Sequence, residues 1–177
     1  MNIPNILSLL RIIMVPFFAH FYMRGRLLQA MAVLLLCGAS DVLDGAIARR
    51  CNMVTELGKA LDPVADKLLQ TAMMLCAAVN TPLVWLLLAV HILRELTLSA
   101  LSLYVLHSTG RVYAAKWYGK ACSAFIYTVL ICLLAFPGIP QAEAYAAVLF
   151  CVAAVGLCLI LYILSFMNVL EQYQAEG

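Results

Sequence analysis

Residues 144–170 read AYAAVLFCVAAVGLCLILYILSFMNVL, without a single Lys, Arg, Asp or Glu. A helix needs about 20 apolar residues to cross the hydrocarbon core of a bilayer. This stretch exceeds that length, so the chain that carries it belongs in a membrane. Further charge-free stretches precede it at 12–23, 27–40, 68–93, 96–110 and 121–142. Merged with their flanks, they predict six helices, at 5–24, 26–50, 58–79, 82–107, 117–136 and 142–169. Pro4, Pro82 and the segment Pro137-Gly138-Ile139-Pro140 punctuate them. The first apolar stretch is interrupted by Arg11 and lacks a small-residue cleavage site, so it reads as a retained helix. Residues 2–11 are expected along the membrane surface as a short amphipathic lead-in. The expected fold is all-α: a polytopic membrane protein with six transmembrane helices in one domain, 1–177.

Composition agrees. Of the 177 residues, 66% are hydrophobic and 11% charged, and the mean hydropathy is +1.00. Soluble domains are about half apolar and a quarter charged. The net charge of +2 comes without any basic run, which argues against nucleic acid as a partner. The seven cysteines form no C-x-x-C pair and read as small packing residues. His20, His91 and His107 share no metal-ligand spacing. With both termini inside, the inner loops 50–57 and 107–120 carry Arg50, Arg111, Lys116 and Lys120, with Arg49 and Lys59 close by. That basic excess favours a cytoplasmic N-terminus and C-terminus, although Arg24 and Arg26 pull the other way.

Acidic residues are scarce, nine in all, yet Asp41, Asp44, Asp62 and Asp66 crowd the junction of the second and third predicted helices. The i, i+3 spacing of Asp41 and Asp44 puts them on one helix face, and the i, i+4 spacing of Asp62 and Asp66 does the same. Helices joined by a short loop are antiparallel neighbours, so the two pairs can face each other near the cytoplasmic surface. Four ionised carboxylates about 5 Å apart repel by roughly 3 kcal/mol per pair at an effective dielectric of ~20, or ~15–20 kcal/mol together. Protonation, a neighbouring Arg49 or Lys67, or divalent metal would relieve this. An all-oxygen ligand set selects hard cations such as Mg²⁺, Mn²⁺ or Ca²⁺. Taken singly, these residues have plainer readings. Asp62 before Pro63 has the form of a helix N-cap with proline in the first turn, and Gly45, Ala48 and Gly58 suit helix packing. Four acids together in so apolar a chain point to function. Gly45 leaves backbone accessible to a ligand, and Arg49 can grip a phosphate with two parallel hydrogen bonds.

Written out, residues 41–66 read D-V-L-D-G-A-I-A-R, eight residues, then G-K-A-L-D-P-V-A-D. This resembles the signature of the CDP-alcohol phosphatidyltransferase family, D-x-x-D-G-x-x-A-R-x₈-G-x-x-x-D-x-x-x-D, at every fixed position. Chance agreement is on the order of 10⁻¹⁰ per starting point. The resemblance implies transfer of a phosphatidyl group from CDP-diacylglycerol to an alcohol, with release of CMP. It implies two divalent ions, Mg²⁺ or Mn²⁺, held by Asp41, Asp44, Asp62 and Asp66. Asp66 is implied as the general base on the acceptor hydroxyl. Asp44, Gly45, Ala48, Arg49 and Gly58 are implied around the cytidine diphosphate portion. It further implies a homodimer in the bacterial cytoplasmic membrane, with the active site between the second and third helices, facing the cytoplasm and open laterally to membrane lipids.

The opening Asn2-Ile3-Pro4-Asn5-Ile6-Leu7-Ser8-Leu9-Leu10-Arg11 is similar to that of the bacterial phosphatidylglycerophosphate synthase subgroup, with Ser8 where Thr is usual. Arg94-Glu95 and Trp117-Tyr118-Gly119-Lys120 resemble it too. That subgroup uses glycerol-3-phosphate, and Arg94, Arg111 and Lys120 are the cations available for its phosphate. Beyond Lys120 the chain departs from the subgroup: Cys122 replaces a second lysine and Ile126 a glutamine. The departure leaves open a cardiolipin synthase reading with phosphatidylglycerol as acceptor. A reading from another class is a small cation or proton transporter. Transporters place their binding groups near the bilayer midplane, between repeats. Here the acids cluster at helix ends, and the chain shows no internal repeat.

Overall fold

The computed structural model describes the backbone of residues 3–51, 56–109 and 116–176, and the side chains of residues 6–40, 61–107 and 116–167. Six helices account for almost all of it: α1 (Ile3–Met23), α2 (Leu27–Cys51), α3 (Glu56–Asn80), α4 (Val84–Thr109), α5 (Trp117–Ala135) and α6 (Gln141–Glu176). Among the described residues, four stretches are long and apolar enough to cross a membrane: Ile6–Met23, Val84–His107, Trp117–Ala135 and Gln141–Met167. The apolar stretch Leu27–Ser40 of α2 is shorter and precedes its acidic end. Large apolar side chains stand on the outside, among them Phe17, Leu28, Leu35, Leu96 and Phe150. In water such a surface would aggregate; in lipid it is the solvated face. The chain is an all-α, polytopic membrane protein.

Each expected helix is present. The lead-in is not separate, because residues 3–11 form the first turns of α1. At the other end α6 continues to Glu176, beyond the expected end at residue 169. The reading of Asp62 as an N-cap fails: α3 starts at Glu56 and contains Pro63. Both aspartates of α3 are therefore interior to a helix.

The helices form two compact units, Met1–Asn80 and Thr81–Gly177. In the first, α1 packs against both α2 and α3. The α1–α2 turn shows why. Gly25 has φ +69°, a left-handed conformation that costs glycine nothing. Its N–H donates to Tyr22 O at 2.9 Å, and the Arg26 N–H donates to Phe21 O at 2.9 Å. This pair of bonds is the Schellman closure of a helix end, and it turns α2 back along α1. Asn80 Nδ2 donates to the Tyr22 hydroxyl at 2.9 Å, joining the C-terminal ends of α3 and α1. Hence α1 and α3 run parallel, with α2 antiparallel to α1. Phe18, Ala30, Leu34, Cys37, Ala65, Leu69 and Met73 form the thin apolar core of this unit.

In the second unit α6 packs against both α4 and α5. Tyr104 of α4 meets Phe166 of α6 edge to face at 6.0 Å. The buried stripe of α5, which includes Gly119, Cys122, Ile126, Leu130 and Leu133, follows helical spacing.

Candidate active site

Asp62 and Asp66 lie one turn apart on α3, and their carboxylates converge on one cation. Arg11 Nη1, from α1, is 3.1 Å from Asp66 Oδ1 and 3.4 Å from Asp62 Oδ1. The Ser8 hydroxyl, one turn before Arg11, donates to Asp62 Oδ1 at 3.2 Å. The parallel packing of α1 and α3 makes this possible, since Ser8 and Arg11 share a face and so do Asp62 and Asp66. Arg11 has no exposed surface, whereas the aspartate side chains are 45% and 50% exposed. Burying a guanidinium costs several kcal/mol unless it is paired. Here the pairing is double, and the carboxylates keep an open side on which a ligand can land.

Sequence reasoning offered Arg49 and Lys67 as counter-ions and overlooked Arg11. The signal was available: an arginine inside an apolar helix, with a hydroxyl one turn before it, is a functional marker by default.

The rest of the aspartate signature lies on described backbone but beyond the described side chains. Asp41, Asp44, Gly45, Ala48 and Arg49 are in the last turns of α2, and Gly58 is in the first turn of α3. Counting equally in both directions from Gly25, residues 41–44 reach the level of residues 6–9 of α1. Both acidic segments therefore flank the same end of α1. Arg111 lies outside the described residues.

The remaining acceptor candidates belong to the second unit. Arg94, in the middle of α4, is 3% exposed. Its Nη1 is 3.5 Å from Glu95 Oε1, an ion pair by distance. Neither Nη1 nor Nε has a hydrogen-bond partner among the described residues. Buried guanidinium nitrogens with no acceptor are rare and mark a place where an anion would be welcome. Lys120 is exposed on the first turn of α5, and so is Lys116 just before that helix. The two departures from the subgroup pattern, Cys122 and Ile126, are 7% and 0% exposed. Both point into the packed side of α5, where a lysine and a glutamine would need polar partners.

Among the described residues, no three His, Cys, Asp or Glu side chains come together as a metal site. The described part of the expected ligand set is the pair Asp62 and Asp66. These residues suit a divalent ion: the donors are all oxygen, they converge, and they already collect positive charge from Arg11.

The profile of the CDP-alcohol phosphatidyltransferase family matches residues 1–168. A relative from Escherichia coli K12, a CDP-diacylglycerol–glycerol-3-phosphate 3-phosphatidyltransferase, is 36% identical over 170 residues, 93% of each chain. A relative of the same description from Shigella flexneri serotype 5b is 38% identical over 160 residues, 87% of each chain. Likeness that starts at residue 1 and runs into the last helix, rather than stopping at the aspartate signature, establishes that the chain belongs to the CDP-alcohol phosphatidyltransferase family.

Proposed function

We propose that this membrane enzyme transfers the phosphatidyl group of CDP-diacylglycerol to glycerol-3-phosphate, releasing CMP and forming phosphatidylglycerophosphate. The observation that carries the reading is the 36% identity, over 93% of both chains, with a relative described by that activity. A cation transporter has no comparable support, and phosphatidylglycerol as acceptor is the competing outcome of the test below.

Asp41, Asp44, Asp62 and Asp66 would hold two divalent ions, Mg²⁺ or Mn²⁺. When bound, such ions neutralise the pyrophosphate and the charge that gathers on departing CMP. Asp66 takes the proton of the acceptor hydroxyl. The freed oxygen bonds to the phosphorus that carries diacylglycerol, and the bridging P–O bond breaks, its electron pair leaving with CMP. Gly45, Ala48 and Gly58 leave room for the cytidine diphosphate portion, and Arg49 binds its phosphates. Arg94, Arg111 and Lys120 receive the phosphate of the acceptor. The buried nitrogens of Arg94, which have no hydrogen-bond partner among the described residues, support its part in this. Residues 1–177 work as one domain of a homodimer in the bacterial cytoplasmic membrane. The aspartates face the cytoplasm, a reading supported by the basic residues of loops 50–57 and 107–120.

The test is CMP release by purified protein in detergent or liposomes, with CDP-diacylglycerol, Mg²⁺ or Mn²⁺, and one acceptor at a time. Turnover with glycerol-3-phosphate, abolished by chelation, is the expected result. Turnover with phosphatidylglycerol alone would reassign the acceptor, and no CMP from any acceptor would overturn the reading.

A further inference from the structure

We propose that Arg11 is a positioning residue for Asp62 and Asp66: its buried guanidinium holds the two carboxylates of α3 together and acts as their counter-ion until divalent cations arrive. The inference rests on the reading that these aspartates hold metal, and it adds a role for a residue outside the aspartate signature.

Three observations carry it. One nitrogen, Nη1, reaches both carboxylates, at 3.1 and 3.4 Å, so the two oxygens are gathered about a single positive centre. The guanidinium is wholly buried while the carboxylates are half exposed, so the cation lies behind the pair and their outer side stays open. Ser8 adds a hydroxyl to the same Asp62 oxygen at 3.2 Å, a second constraint from the same face of α1. Two carboxylates sharing one site repel each other, and a shared cation removes that repulsion. The oxygens are thereby ordered before metal binds, so less ordering is left to be done at binding.

A helix staple and a counter-ion differ in one measurable respect. If Arg11 merely ties α1 to α3, its loss weakens the protein equally with and without metal. If it neutralises the carboxylates, metal can replace it. Without metal, Arg11→Met should lower the unfolding temperature of the substrate-free protein in detergent by roughly 5–10 °C. Saturating Mn²⁺ should close at least half of that gap. Arg11→Lys, which keeps a single charged nitrogen, should recover most of the metal-free loss. This variant keeps the question decidable if Arg11→Met does not fold, since its residual deficit should also shrink in Mn²⁺. The double variant Arg11→Met/Asp66→Asn, which removes one carboxylate along with the cation, should be more stable without metal than Arg11→Met alone.

An equal deficit with and without Mn²⁺ would overturn the proposal while leaving the enzymatic reading intact, provided wild-type protein releases CMP. Absence of any Mn²⁺ stabilisation in wild type, together with no CMP release, would overturn the metal reading itself and the proposal with it.

Discussion

Gly119 of α5 has no side chain because Tyr162 of α6 occupies the space: a Cβ at Gly119 would collide with the tyrosine hydroxyl and lie 3.0 Å from Cζ. The same hydroxyl accepts a hydrogen bond from the Lys116 N–H at 3.2 Å. Lys116 is the N-cap of α5 and makes no side-chain capping bond of its own among the described residues. Tyr162 also stacks edge to face on Tyr118, with ring centroids 4.7 Å apart. One aromatic side chain thus fixes the start of α5, the turn that presents Lys116 and Lys120.

Gly119→Ala must displace the Tyr162 ring, breaking the bond to Lys116 and the contact with Tyr118. Overpacking of this kind costs about 1–3 kcal/mol. Tyr162→Phe loses the hydrogen bond from Lys116, worth about 1 kcal/mol, but also removes the hydroxyl that the new methyl group would meet first. The double variant should therefore be less destabilised than the sum of the two single ones. Thermal unfolding of the four proteins in detergent measures that coupling. Strict additivity would mean that the two sites do not interact as described.

Asp66→Asn keeps the shape of the side chain and an oxygen to accept from Arg11, but it cannot take a proton from the acceptor. A general base contributes typically about 10²–10⁴-fold to rate, and the proposed metal ligand is lost as well. CMP release should fall by at least ~10³-fold, with a loss of a few degrees in unfolding temperature, because a neutral amide replaces one of the two carboxylates paired with buried Arg11 while Asp62 remains. A variant that is folded and retains a tenth of wild-type turnover would remove Asp66 from the role of base.

Arg94 gives a prediction of a different kind, because its proposed contact is with the acceptor alone. Arg94→Lys retains charge but not the planar fork of donors. A hydrogen bond to a charged group contributes about 1.5–3 kcal/mol, so KM for glycerol-3-phosphate should rise roughly 10–100-fold. KM for CDP-diacylglycerol should change little. A rise in both constants would show that Arg94 supports the fold of α4 rather than the acceptor.

The helices were legible because charge-free stretches and prolines report the two things a bilayer demands, length and an interruption between spans. Where polarity is the wrong guide, the reading missed. Residues 170–176 lie beyond the expected end of the last helix yet belong to α6, since a helix satisfies its backbone internally in water as in lipid. The Asp62-Pro63 dipeptide has the local form of a helix start, but α3 begins at Glu56, and Pro63 is accommodated inside it. The crowding of the aspartates was visible in the sequence; the pairing of Asp62 and Asp66 with Arg11 was not. Arg11 is 51 and 55 residues away from the two acids it joins, and only the parallel packing of α1 on α3 brings it there. Spacing along the chain offered Arg49 and Lys67, which are nearer in sequence; the side chain of Arg49 lies outside the described residues.

The same distinction between sequence pattern and packing decides what Cys122 and Ile126 mean. Read as departures from a polar pattern, they raise doubt about the acceptor, because an expected cation is missing. Their burial in the second unit, at 7% and 0% exposure, gives a physical reason for the substitution. Packed against its own unit, this stripe of α5 has apolar neighbours such as Leu130 and Leu133 one and two turns on. Restoring the pattern with Ile126→Gln would bury an amide in a stripe whose neighbours along α5 are apolar, and an amide buried without a partner costs about 2–4 kcal/mol. The variant should lose several degrees of thermal stability and gain no turnover with glycerol-3-phosphate. Cys122→Ser, smaller in its demands, should be tolerated with a loss of about 1–2 kcal/mol. Unfolding temperatures and CMP release on the same preparations test both. Unchanged stability with improved turnover in Ile126→Gln would mean that this face of α5 meets substrate instead of core.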